Sequence, residues 1–276
     1  MQINIPTTGI IGAVCGDIAG LPYELRANRT KDYDFPLKLV DFSDDTILTV
    51  AIAHWLMGER TEQRLRQHLL DYALRFKDKN VWGQGFQAWF ESGGTLDRKG
   101  VASNGAAMRV VPIGYAADDL SEVLRLAELS ARITHDSDEA AYGAQAVASA
   151  VCLTRLGTCK AAVCQYLEDT FHYNMRRTVE DIRRHYHFEI LCDRCVPESI
   201  ICWLQSSTYE EAVRNAVSLG GDADTMASIA GGLAAATAGM AVPQSWAEAC
   251  YNLLPADFQD IIRRFPQPLE LEPDKL

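Results

Sequence analysis

Residues Gly220-Gly221-Asp222-Ala223-Asp224-Thr225 run directly into Met226-Ala227-Ser228-Ile229-Ala230-Gly231-Gly232-Leu233-Ala234-Ala235-Ala236. Two glycines open unusual backbone angles and deliver two carboxylates and a hydroxyl to the N-terminus of a helix made almost wholly of small residues. A helix of that composition packs in the interior and takes its acidic start with it. Burying an unpaired carboxylate costs several kcal/mol, on the order of the stability of a whole domain, so the chain needs something cationic at this point. A near-echo lies far upstream: Ser43-Asp44-Asp45-Thr46 opens an apolar helix from Ile47 to Met57. Two acidic helix starts are enough to build one oxygen-lined site.

A single aspartate near a helix start is explained by capping of free N–H groups and by the positive end of the helix dipole. Two pairs, each followed at once by Thr and an apolar helix, ask for more. Four carboxylates with neighbouring hydroxyls are hard oxygen donors, which suit Mg2+ or Mn2+ rather than zinc, and four negative charges balance two divalent ions. A calcium loop starting at Asp222 is excluded, because it needs Gly at its sixth and Glu at its twelfth position, where this chain has Ala227 and Leu233.

The formal net charge of −11 leaves no basic field for a nucleic-acid backbone. The longest uncharged run, Met226 to Val242, is rich in Ala and Gly and falls short of the roughly 18 to 20 apolar residues of a membrane span. Eight cysteines are too sparse for a disulfide scaffold in 276 residues, and Met1 to Ile11 lack a basic segment followed by an apolar core. The expectation is a cytoplasmic, monomeric protein with reduced thiols.

Gly12, Gly16 and Gly20 recur every four residues, which puts them on one helical face and lets another backbone come close. Pro22 stops that helix and leaves Tyr23-Glu24 in a loop, and the polar segment Arg26 to Asp41 reads as a surface loop able to move. Helices are expected from Glu62 onward, with Leu65, Leu69, Tyr72 and Phe76 as its stripe, then over Ser121–Ile133, Glu139–Leu156, Ala161–Thr170, Pro197–Gln205, Tyr209–Leu219, Ser245–Leu254 and Ala256–Phe265. Gly100-Val101-Ala102-Ser103-Asn104-Gly105 reads as a loop with exposed N–H groups that continues into a helix closed by Pro112. Only Tyr186 to Ile190 resembles a strand, and a Pro-rich acidic tail follows Phe265. The class is all-α, a compact single domain with its core at about residues 8–265.

Gly12-Ala13-x-x-Gly16-Asp17-x-x-Gly20-x-Pro22-x-Glu24, Ser43-Asp44-Asp45-Thr46, Asn104-Gly105-x-x-Met108-Arg109-x-x-Pro112-x-Gly114, Thr134-His135, Val196-Pro197-Glu198 and Gly220-Gly221-Asp222-x-Asp224-Thr225 occur in that order. This set resembles the ADP-ribosylglycohydrolases, the dinitrogenase-reductase-activating glycohydrolase group. The resemblance implies an orthogonal helical bundle with two Mg2+ or Mn2+ ions that removes ADP-ribose from a modified protein or small molecule. It implies metal ligation by Ser43, Asp44, Asp45, Asp222, Asp224 and Thr225, with Glu24 and Asp224 catalytic. It further implies substrate binding by Gly100, Ser103, Asn104, Gly105 and His135, and resemblance to bacterial members points to ADP-ribosyl-arginine. Backbone N–H groups of the Gly-rich loop can hold a diphosphate without a cluster of Arg or Lys.

Other readings stay open at this stage. Paired metals serve a nucleotide-directed phosphohydrolase equally well, and a fold can persist as a non-catalytic ADP-ribose-binding or crystallin-like protein. Cys192 and Cys195, with His185 and His187, are spaced too tightly for a zinc finger and read as two partly buried thiols beside a loop. Tyr23, Trp82 and Trp89 are candidates for stacking on adenine.

Overall fold

In the computed structural model, which describes residues 9–35 and 41–265, the chain forms thirteen α-helices. They are α1 (Gly9–Gly20), α2 (Asp44–Leu56), α3 (Glu62–Arg75), α4 (Gln84–Glu91), α5 (Leu120–Arg132), α6 (Asp138–Arg155), α7 (Lys160–Phe171), α8 (Val179–His185), α9 (Cys192–Leu204), α10 (Tyr209–Val217), α11 (Ala223–Ala236), α12 (Gln244–Leu253) and α13 (Ala256–Arg264). Short 3-10 turns cover Leu21–Tyr23, Asn104–Ala106 and Val111–Tyr115. No strand occurs among the described residues. The acidic tail, residues 36–40 and the first eight residues lie outside them.

The bundle is built on the contact between α1 and α11, both buried along nearly their whole length. A β-carbon on Gly16 would lie 2.1 Å from the Ala227 carbonyl oxygen, and one on Gly20 would lie 2.3 Å from that of Ala223. Gly12 and Gly231 face each other in the same way, each meeting the other's carbonyl. The four-residue glycine spacing is thus a seam that lets two backbones touch, and the dispersion gained along it replaces what larger side chains would supply. Around this pair, α9, α10 and α6 pack on α11 and α12 packs on α1, while α5 lies on α6 and α3 on α2. The buried apolar side chains form one continuous cluster. No described helix is long and apolar enough to cross a membrane, and all eight cysteines are free thiols.

Several local expectations need correction. Tyr186 to Ile190 is extended chain rather than a strand: its end makes one isolated bridge, Leu191 with Ser103, in which the Asn104 N–H donates to the Ile190 carbonyl at 2.7 Å and the Cys192 N–H to that of Ala102 at 2.9 Å. Asn104 does not open an α-helix; the chain makes two 3-10 turns, with Pro112 inside the second. Helix α9 starts at Cys192, ahead of Pro197. The acceptor that Pro197 leaves without its N–H belongs to Asp193, an exposed residue whose carbonyl water can satisfy. The short helices α4 and α8 were not anticipated. The segment after Glu24 is anchored, since Arg29 donates to the carbonyls of Arg183, Tyr186 and Leu219 and Phe35 stacks on Trp246 with ring centroids 3.8 Å apart.

Gly16→Ala is expected to destabilise the protein by about 3 kcal/mol or to prevent folding, because the new methyl meets backbone rather than a movable side chain. Gly58→Ala, whose methyl would find only the Trp55 carbonyl at 3.9 Å, should stay within about 0.5 kcal/mol. Urea denaturation of both variants measures the difference, and equal effects would refute the seam.

Candidate functional site

The N-termini of α2 and α11 and the turn that follows α1 converge on one cavity of about 620 Å³. Gly220 prepares the entry to α11 with φ +67°, a conformation that glycine adopts without strain. Asp222 then takes the N-cap position, and its Oδ2 accepts a hydrogen bond from Asn104 Nδ2 at 2.7 Å. Asp224 lies in the first turn and accepts from the Thr225 N–H at 2.9 Å. The Thr225 hydroxyl crosses to Asp45 Oδ2 at 3.1 Å, which joins the two acidic motifs directly. Glu24 follows the 3-10 turn Leu21–Tyr23, and one oxygen each of Glu24, Asp222 and Asp224 lie within 4.8 Å of one another.

Ten of the twelve residues expected to form the site line this cavity: Glu24, Asp44, Asp45, Ser103, Asn104, Gly105, His135, Asp222, Asp224 and Thr225. Ser43 and Gly100 do not. The Ser43 hydroxyl lies behind the wall as the N-cap of α2, accepting from the Asp45 N–H at 3.1 Å and donating to Asp45 Oδ2 at 3.3 Å. Gly100 is exposed at the loop's outer end, and its N–H is used by the Asp136 carbonyl. Since the Asn104 N–H goes to Ile190, the loop's described backbone donors with no acceptor near the cavity are those of Ala102, Ser103 and Gly105. Trp82 and Trp89 pack with Phe86 and Phe90 in an aromatic cluster of which only Phe86, among the described residues, lines the cavity, and Tyr23 packs on Tyr33. The rings that reach the cavity are Phe86 and Phe188, and Arg98 brings a positive charge to the same wall.

Asp17 stands in the first motif, where the sequence assigns it no role of its own. Its Oδ2 accepts from the N–H groups of Ser43 and Thr46 at 3.0 and 3.2 Å and from the Thr46 hydroxyl at 2.5 Å. A carboxylate carried on α1 therefore caps α2 and fixes the position of Asp44 and Asp45. The available signal was a lone charge within an otherwise apolar helix.

Burial, and then repulsion from neighbouring carboxylates, push Asp44, Asp45 and Asp224 well above the ordinary carboxyl range. Burial also pushes Asp17 and Asp222 up, against hydrogen bonds that favour their charged forms. Glu24 is raised by its own burial and by Asp222 and Asp17. Asp17 Oδ1 and Asp45 Oδ1 are buried with no hydrogen-bond partner among the described residues. Oxygen-only donors, surplus negative charge and unpartnered carboxylate atoms together fit divalent cations of the Mg2+ and Mn2+ type. Zinc at Cys192 and Cys195 does not fit: the Cys192 thiol donates to the Ser103 carbonyl, and Cys195 Sγ accepts from Asn104 Nδ2, both at 3.3 Å. His185 and His187 line a different cavity.

Asp17→Ala should cost about 2–3 kcal/mol, since it strands buried donors at the start of α2. It should also weaken Mn2+ binding about 10–100-fold, as loss of a group that orients metal ligands does. Thermal unfolding and calorimetric titration read the two effects, and an unchanged Mn2+ affinity would remove Asp17 from the positioning role.

The profile of the ADP-ribosylglycohydrolase family matches residues 7–273. An uncharacterized protein of Archaeoglobus fulgidus is 28% identical over 87% of this chain and 89% of its own. The ADP-ribosylhydrolase ARH3 of Homo sapiens is 28% identical, and that of Bos taurus 26%, each over 87% of both chains. A solved structure described as an ADP-ribosylglycohydrolase-related protein complex superposes with a TM-score of 0.66 at 22% identity, over 94% of this chain and 97% of that one, a likeness of fold. With the profile spanning nearly its whole length, the chain belongs to the ADP-ribosylglycohydrolase family.

Proposed function

We propose that this protein hydrolyses the glycosidic bond between ADP-ribose and an acceptor, with arginine as the acceptor. The observation that carries the reading is the meeting of Glu24, Asp44, Asp45, Asp222 and Asp224 with the Ser103–Gly105 turn and His135 around one cavity. Its volume falls in the range of small-molecule sites, about 300–1,000 Å³. Asp44, Asp45, Asp222 and Asp224, with Thr225, would hold two Mg2+ or Mn2+ ions. When bound, such ions orient ribose hydroxyls and water and stabilise developing charge.

The remaining roles belong to the chain itself. The N–H groups of Ser103 and Gly105, with Arg98 on the same wall, offer donors and one positive charge to the diphosphate. Asn104 keeps Asp222 in place and Thr225 keeps Asp45 in place. Glu24, whose carboxyl is raised above the ordinary glutamate value by burial and by Asp222 and Asp17, is positioned to move a proton to or from the leaving group or water as the anomeric carbon gains oxocarbenium character. Glu24 and Asp44 are the two carboxylates of the set that keep some solvent access. A positively charged guanidinium is the acceptor whose charge complements that rim, which supports arginine over neutral linkages.

A panel of ADP-ribosyl-arginine, ADP-ribosyl-serine, ADP-ribosylated nucleic acid and O-acetyl-ADP-ribose, assayed with Mg2+, tests the activity by its products. Free ADP-ribose released fastest from arginine is the expected result. Release of AMP would assign a phosphohydrolase instead, and no turnover on any substrate would favour a non-catalytic binding protein.

Asp224→Ala should abolish turnover and also the Mn2+-induced rise in melting temperature, which at a hundredfold excess over Kd corresponds to about 2.7 kcal/mol in the parent protein. Asp44→Asn, which keeps an oxygen but loses its charge, should be milder. A full thermal shift in Asp224→Ala would sink the metal assignment.

Glu24→Gln should lower kcat by roughly 10²- to 10⁴-fold while ADP-ribose affinity changes far less. A loss confined to Kd would make Glu24 a ligand contact rather than a catalyst.

A further inference from the structure

The fully buried Arg109 has no acidic partner among the described residues. Its Nη2 donates to the Ser130 carbonyl at 2.6 Å and to the Thr134 hydroxyl oxygen at 2.7 Å, and its Nε donates to the Ser130 hydroxyl at 3.3 Å. The Thr134 oxygen lies 2.8 Å from His135 Nδ1. Arg109, Thr134 and His135 are all buried, at 0%, 0% and 3% exposure, so water does not compete for these contacts.

The donor count leaves one arrangement. A guanidinium has N–H donors and no acceptor, so the Thr134 oxygen must accept from Arg109. A hydroxyl that accepts from Arg109 still has its own proton to place, leaving that proton buried and unpaired is costly, and among the described residues the one other polar contact of the Thr134 side chain is His135 Nδ1. That nitrogen is therefore the acceptor. In a neutral imidazole the proton then sits on Nε2. The ring is held neutral, because burial and the nearby charges of Arg109 and Arg98 push its pKa well below the ordinary histidine value.

We infer that Arg109 and Thr134 are positioning residues that lock His135 as the Nε2–H tautomer, so that the ring presents a hydrogen-bond donor, and no base, to an oxygen of the bound ligand. His135 Nε2 has no protein partner among the described residues and lies 3.0 Å from where a β-carbon on Gly105 would stand. The absent side chain of Gly105 is what leaves this nitrogen open to the cavity, and both residues line it. The ring backbone is equally fixed: the His135 N–H donates to the Ala131 carbonyl at 2.8 Å, and Arg98 Nε donates to the Thr134 carbonyl at 2.9 Å. A donor at this place suits a ribose hydroxyl or a diphosphate oxygen. It also leaves Glu24 as the proton carrier of the site.

The ligand half of this inference rests on reading the cavity as an ADP-ribose site, whereas the tautomer half does not. The test is a two-bond ¹H–¹⁵N imidazole correlation on the ¹⁵N-labelled full-length protein without ligand at neutral pH. His135 is assigned among the six histidines by its loss in His135→Gln. The expected pattern is an unprotonated Nδ1 and a protonated Nε2. A protonated Nδ1, or a ring protonated at both nitrogens, would overturn the proposal. Thr134→Ser should keep the wild-type pattern and ADP-ribose affinity. Thr134→Val should lose the pattern and weaken ADP-ribose binding roughly tenfold, the size of one hydrogen bond of about 1.4 kcal/mol. A Thr134→Val spectrum identical to wild type would refute the relay, and an altered spectrum with unchanged Kd would refute the donor role. Wild-type protein with the expected tautomer and no affinity for ADP-ribose would leave the relay standing and remove the ADP-ribose reading instead.

Discussion

Carboxylates resist both burial and one another's company, and the molecule answers this with backbone contact between α1 and α11. Where Gly16 and Gly20 meet Ala227 and Ala223, no side chain separates the helices, and the acidic residues they carry are held at fixed places in a rigid interior. Asp17 sits in this seam and reaches out to cap α2, and Asp222 and Asp224 open the helix on the other side of it. The two acidic motifs, about 180 residues apart in sequence, therefore share a frame whose dimensions are set by glycine and alanine. Packing at native density tolerates little adjustment, which is what a site that must hold repelling charges requires.

The same rigidity extends outward through hydrogen bonds rather than ion pairs. Asn104 links the Gly-rich turn to Asp222, and its backbone N–H links that turn to the segment ending at Ile190. Arg29 gathers three carbonyls around the approach to Gly220, so the chain that follows Glu24 is tied to the chain that precedes Asp222. On the opposite wall Arg109 supports His135 through Thr134. Positive charge is kept behind or beside the cavity, while the groups facing the carboxylates are hydroxyls and an amide. A cavity arranged in this way keeps its negative potential for a cationic occupant.

Much of this was legible in the sequence, and the parts that were not have physical reasons. The glycine spacing predicted a close helix contact, and the small-residue composition after Asp224 predicted a buried helix with a buried acidic start; both follow from local rules that tertiary structure had no cause to override. The convergence of Ser43–Asp45 with Asp222–Thr225 was inferred from charge balance and from resemblance, since spacing alone does not bring distant segments together. Ser43 caps α2, the role that a serine at a helix start fills more often than ligation. The role of Asp17 was not legible because its partners lie at the start of another helix, which no local pattern encodes. Among the aromatic residues, Trp82 and Trp89 pack into a cluster, while Phe188, which lines the cavity, lies on an extended, exposed segment with no periodicity to mark it.

The bearing of all these contacts on function comes down to what the cavity holds. Diffraction from crystals soaked in Mn2+ and ADP-ribose, with anomalous differences recorded at a wavelength where manganese scatters strongly, places both at once. Anomalous peaks between the Asp44–Asp45 and Asp222–Asp224 pairs, with the diphosphate against Ser103 and Gly105 and a ligand oxygen on His135 Nε2, are the expected outcome. Manganese absent from that cluster at saturating concentration, or ADP-ribose seated in a different cavity, would show that the acidic convergence serves some other purpose.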